Sequence, residues 1–290
     1  MAKRGYWVDT FTLEFADDTS GVIIADSEEI LQEAVNVMAD MFAEYFNAMG
    51  MCLNAKKSEL IVFRSKKKVN DLHLPSGQVE SRVVCLLGLW IYQYRFEDHT
   101  QKVLQKLRFK LSNLAKVRPY LTQSRSQQIV ESLIHSTINY MGFIYLRLPL
   151  NQKKVQRLLN RASRLVLKAE PLTHVEDMQD ELYWLNVDNM YKYQLITSFR
   201  RLRYGECRAR VSWGNLFIRK EDGEYLYRTR NIHCRVQWTK ITSHGRNSYI
   251  YCASHMYNEL ELNGEYFEDD KDFKDCVKFR IFKNYPNGNL

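Results

Sequence analysis

Two adjacent aspartates, Asp17 and Asp18, sit at the tip between two apolar runs in TFTLEFADDTSGVIIA, the stretch from Thr10 to Ala25. Neighbouring carboxylates on a tight turn repel each other and are costly to ionise together, so a hard divalent cation that prefers oxygen is the partner that fits them. The plainer reading is ordinary turn chemistry, in which aspartate hydrogen-bonds local backbone. A second set of residues is cationic. Between Lys102 and Lys168 the lysines and arginines, among them Lys106, Lys110, Arg157, Arg161 and Arg164, face very few acids. Basic helix faces are most often simply solvated. An excess this concentrated favours a phosphate backbone instead.

The elements that must position these groups can be read from periodicity. Phe11, Leu13 and Phe15 alternate with Thr10, Thr12 and Glu14, the pattern of a half-buried strand, and Val22, Ile23 and Ile24 form a β-branched run. Together they predict a β-hairpin whose turn holds Ala16, Asp17 and Asp18. Asp26 with Glu29 resembles a capping box, and a stripe including Val37, Met38, Met41, Phe42 and Tyr45 predicts a long helix that packs on a sheet and ends at Gly50. A turn over 54–58 and a strand over 59–63 follow, then a solvated knot at Lys66 to Lys68 and a hairpin-like stretch over 72–79 that turns at Pro75, Ser76 and Gly77. Residues 82–92 read as one buried strand with Gly88 in its middle, where a glycine marks a bulge or a close approach by a ligand. Near residue 95 the pattern switches to helices, expected over 97–117, 124–146, 152–169 and 189–204, with two more over 248–261 and 269–282.

Composition narrows the class. The 290 residues carry a net charge of +8 and are 45% hydrophobic, which indicates a globular chain with an anionic partner, nucleic acid foremost. Neither the apolar core of a signal peptide nor a run long enough to span a bilayer is present, so the expectation is an intracellular protein, cytoplasmic or nuclear, without a membrane partner. The six cysteines form no C-x-x-C pair and read as reduced thiols.

FADDT at Phe15 to Thr19, GMCLNAKKSELIVF at Gly50 to Phe63 and LLGLWI at Leu86 to Ile91, in this order and followed by a basic helical stretch, resemble the later palm motifs and thumb of reverse transcriptases, those of non-LTR, LINE-type retrotransposons above all. The resemblance implies an α+β fold. A partial antiparallel palm sheet of about three strands with helices on one face occupies 1–95, a mostly helical thumb-like domain 96–205, and a small mixed C-terminal region of unknown role 206–290. It implies Asp17 and Asp18 as ligands of catalytic Mg2+, Lys57 beside the triphosphate or the leaving pyrophosphate, and Leu87-Gly88 as a primer grip. The implied partners are an RNA template and DNA primer duplex, and a protein that covers the exposed palm edge.

Two departures shape the expected activity. In the family, a further aspartate from an earlier palm strand and a fingers subdomain precede the Asp-Asp hairpin, and neither has a counterpart in this sequence; Asp9 lies too close to the hairpin to serve. Tyr92 also stands where an acidic residue is often seen. The expectation is a fragment of an RNA-directed DNA polymerase, a nucleotidyltransferase in its full form, that binds template–primer but does not extend it. The alternative is a non-catalytic nucleic-acid-binding module derived from such an element.

Overall fold

The computed structural model describes residues 8–15, 18–64, 71–92, 96–204, 217–219, 234–236, 249–260 and 269–284. Over these the fold is α+β, mostly helical with short antiparallel strand pairs, and the chain divides into two units, Met1–His99 and Thr100–Leu290. Among the described residues no helix is long and apolar enough to cross a membrane.

In the first unit β1 (Val8–Phe15) pairs antiparallel with β2 (Asp18–Ala25), in a register that sets Phe15 opposite Asp18 and Val8 opposite Ala25. Helix α1 (Glu28–Ala48) starts at Ser27, whose hydroxyl oxygen accepts from the Ile30 amide at 3.3 Å, so Ser27 rather than Asp26 is the cap. It ends in a Schellman turn: Gly50 takes φ +74°, its amide donates to the Asn47 carbonyl at 3.0 Å, and the Met51 amide donates to that of Phe46 at 2.8 Å.

The alternation in β1 is present, but the helix covers the opposite face from the one expected. Thr10, Thr12 and Glu14 line the side toward α1, and Phe11 and Leu13 are 50% and 61% exposed. Gly21, opposite Thr12, accommodates this: a Cβ there would collide with Met38 Sδ, so any side chain at this position would force Met38 to move. The stripe read as core is accordingly half open, with Val37, Met41, Tyr45 and Met49 exposed, while the buried α1 residue, Val35, lies outside that stripe.

The rest of the first unit differs from a three-stranded sheet. Residues 59–63 form no strand ladder; the Ser81 amide donates to the Leu60 carbonyl at 2.6 Å, and the segment is pinned by Arg64, whose guanidinium meets Glu28 and Glu80, each at 2.6 Å. Residues 82–92 are a hairpin and not one strand. β3 (Val84–Leu86) turns back into β4 (Leu89–Ile91) through Leu87 and Gly88, at φ +47° and +80°, and two consecutive positive φ angles are the signature of a type I′ turn. The 72–79 stretch is hairpin-like as read, with a His73–Val79 bridge and Gly77 at φ +88°.

The second unit is built on helices. In order they are α2 (Glu97–Val117, which begins in the first unit), α3 (Gln123–Val130), a π-helical segment Glu131–His135, α4 (Ser136–Asn139), α5 (Gly142–Tyr145), α6 (Pro149–Leu167), α7 (Val175–Glu181) and α8 (Val187–Tyr204). Then come the pair β5 (Phe217–Arg219) and β6 (Cys234–Val236), α9 (Tyr249–Glu259) and α10 (Asp270–Asn284). The helix expected over 124–146 breaks at Met141, which is left-handed at φ +54°, because α8 presses in there: Gln194 occupies the space a Gly142 side chain would need and donates to Asn139 at 2.7 Å. Helix α8 carries α9 and α10 through Phe199, Tyr257 and Phe273, whose ring centroids follow one another at 5.1 and 6.4 Å, the first pair tilted and the second stacked.

Candidate nucleic-acid interface

Helix α6 holds the strongest candidate site. Pro149 opens it, since a missing N–H costs nothing in a first turn, and Lys168 closes it in the left-handed conformation at φ +53°, its amide bonded to the Arg164 carbonyl. Val155, Leu159, Ala162 and Val166 are buried. At 100° per residue, Lys153, Arg157, Arg161, Arg164 and Lys168 fall on the opposite side and make one cationic row about 22 Å long. The helix contains no Asp or Glu. Among the described residues no carboxylate pairs with any of the five, and the Arg164 Nε is buried without a hydrogen-bond partner.

Several other cations among the described residues of the second unit are committed. Arg118 is buried and donates to the carbonyls of Leu165, Val166 and Leu121 at 2.8, 2.6 and 2.8 Å, which closes the last turn of α6 from outside. Lys110 donates to the Leu133 carbonyl at 3.0 Å and the Thr137 hydroxyl at 2.6 Å, and so holds the π-helical segment. Lys192 pairs with Asp188 and Lys274 with Asp270, at 2.7 and 3.0 Å, and Arg200 lies over the Phe273 ring at 4.2 Å. Against this background the α6 row is uncompensated charge.

Helix α2 adds a second surface. Leu104, Leu107, Leu111 and Leu114 are buried, and the opposite side carries Lys102, Lys106, Phe109 and Lys116, with Tyr120 just beyond its end. Phe109 is 69% and Tyr120 88% exposed. Exposed aromatics among lysines offer flat faces on which bases stack, in addition to phosphate contacts. The sequence reading named Lys106 here but not Phe109 or Tyr120; the signal was Phe109 falling on the polar side of the α2 period.

The expected catalytic residues are placed less fully. Asp17 lies outside the described residues. Asp18 is the first residue of β2, solvent-exposed. Lys57 ends an exposed 3-10 turn, Ala55–Lys57, capped by Asn54. Leu87 and Gly88 are the two turn residues of the β3–β4 hairpin. Among the described residues no three His, Cys, Asp or Glu side chains gather closely enough to hold a metal ion. Comparisons with protein-family models, curated proteins and solved structures gave no match.

Proposed function

We propose that this chain binds nucleic acid through the phosphate backbone along α6, as the thumb-like, template–primer-holding part of a protein resembling a LINE-type reverse transcriptase. The observation that carries the reading is the row Lys153, Arg157, Arg161, Arg164 and Lys168 on a helix without a single acid. A duplex strand presents one phosphate per about 3.4 Å of axis, so a row about 22 Å long spans roughly six of them. The α2 surface with Phe109 and Tyr120 supports the same reading. In the polymerase that the sequence resembles, Asp17 and Asp18 would hold Mg2+, with Lys57 near the triphosphate and Leu87-Gly88 near the primer. On this reading the chain is expected to bind a primed RNA template without extending it.

The test is the salt dependence of binding to a primed RNA–DNA duplex. Each phosphate contact contributes about 0.7 to 0.9 to the slope of log K against log salt, so Arg157→Ala with Arg161→Ala lowers the slope by about 1.4 to 1.8. Lys192→Ala, which removes a cation already paired to Asp188, leaves it unchanged. Salt-independent binding, or equal effects of the two sets, refutes the assignment. Magnesium-dependent dNTP incorporation that Asp17→Ala abolishes would show instead that the chain is a complete polymerase.

A further inference from the structure

The first unit holds an open groove of about 640 Å³ between β1 and α1, lined by Thr10, Thr12 and Glu14 on the strand and by Glu33, Val37, Met38, Met41 and Tyr45 among others on the helix. No β2 residue lines it, so it lies on the β1 side of the hairpin. Among the described residues β1 pairs with β2 alone. The backbone amides and carbonyls along its other edge therefore border the groove without a ladder partner, and such an edge is a template for one more strand. The helical wall is apolar and open, Met41 being 63% exposed. In a chain of net charge +8, the charged side chains of the lining are two carboxylates, Glu14 and Glu33, and neither is paired to a cation among the described residues.

We infer that β1 and α1 form a receptor for an extended peptide strand of a partner protein, added to the free edge of β1, with alternate apolar side chains in the groove and a lysine or arginine opposite Glu14 and Glu33. Strand addition draws its affinity from main-chain hydrogen bonds and its specificity from the pockets that receive alternate side chains, and this groove supplies both. Its charge selects among occupants. A nucleic-acid backbone is repelled by the two carboxylates. A second copy of this chain brings the same acidic groove to the contact and so provides no counter-charge. A basic, apolar strand answers the edge, the wall and the charge together. The groove belongs to the first unit and the α6 row to the second, and the two assignments rest on different residues, so either can fail without the other.

The experiment uses the whole chain and three capped decapeptides: one alternating valine with lysine and threonine, the same peptide with glutamate for lysine, and the lysine peptide with every second amide N-methylated. Fluorescence anisotropy should show the lysine peptide bound and each of the others at least tenfold weaker. Hydrogen exchange should show new protection across residues 9–14. Glu14→Lys with Glu33→Lys, both at exposed positions, should reverse the preference between the lysine and glutamate peptides, and duplex nucleic acid should not displace the bound peptide. Equal binding of the lysine and glutamate peptides, binding without protection of β1, or a peptide-free dimer already protected there would each overturn the proposal.

Discussion

Replacing His135 with phenylalanine should flatten the acid side of the stability curve of the second unit. His135 closes the π-helical segment, and its Nε2 is buried with no hydrogen-bond partner among the described residues. Burial pushes the imidazole down to about 4 from 6.5; the Lys278 charge works in the same direction, and the Glu131 carboxylate opposes both without prevailing. That carboxylate is already engaged, since it accepts from the Trp184 indole at 2.8 Å and from Gln127 at 3.0 Å. Between pH 6.5 and about 4 the unfolded chain holds a proton on this ring and the folded chain does not, so stability falls as pH falls. At 1.36 kcal/mol per unit the loss reaches about 3 kcal/mol once the pH is below both values. Phenylalanine keeps a ring against Trp184, which lies edge-on at 4.6 Å, and removes the proton site. Urea unfolding of both proteins from about pH 7 to about pH 4 should show the wild type losing about 1.4 kcal/mol per pH unit relative to the variant. Parallel curves, or an imidazole pKa of 6.5 or above by NMR, would refute the account.

Two further substitutions test the packing. Arg118→Ala should destabilise the second unit by about 2 to 3 kcal/mol in denaturant unfolding, because three carbonyls, that of Val166 in a buried bond and those of Leu165 and Leu121 in part-buried ones, lose a charged donor; a cost under about 1 kcal/mol would show that water replaces it. Gly88→Val should cost the first unit about 1 to 2 kcal/mol, since valine resists the positive φ of the β3–β4 turn, and should raise hydrogen exchange at Val84 to Ile91; unchanged exchange would refute the turn's role.

Helix α2 has the bounds its periodicity and flanks predict, because apolar spacing and an acidic first turn act along one element without help from elsewhere. The sidedness of β1 was not legible in the same way. Period-2 alternation separates two faces of a strand but does not say which one a helix will cover, and the close approach of Met38 to Gly21 on the neighbouring strand is not written into β1. The β3–β4 turn escaped because Leu87 takes a positive φ that its side chain gives no hint of, so Gly88 alone read as a bulge. In the basic segment the sequence yields the charges but not their commitments. Arg118 extends the buried series Leu107, Leu111, Leu114 by four residues, and that spacing was the available sign of an inward-facing arginine. For Lys110 no such sign exists, since its acceptors include the Leu133 carbonyl, within a π-helical register that the sequence does not announce.

The same contrast bears on how the first unit holds together. Its buried apolar side chains among the described residues are Val35, Leu72 and Leu89, and its strand pairs have two strands each, an arrangement that is marginal alone in water. Polar ties carry much of the organisation instead. Arg64 clamps Glu28 to Glu80, and the Gln32 amide exchanges two hydrogen bonds with the backbone of His73 at 2.7 and 2.8 Å, as a strand residue would. Directional contacts of this kind fix geometry but contribute little net free energy where they are partly solvated. A unit held in this way opens locally at small cost, and a ligand that binds only its closed form raises its stability by mass action. Strand addition at β1 would do that, because it pairs the free edge and covers Val37, Met41 and Tyr45 in one step. The apolar surface this sequence leaves open on α1 is thus surface whose burial is deferred to binding.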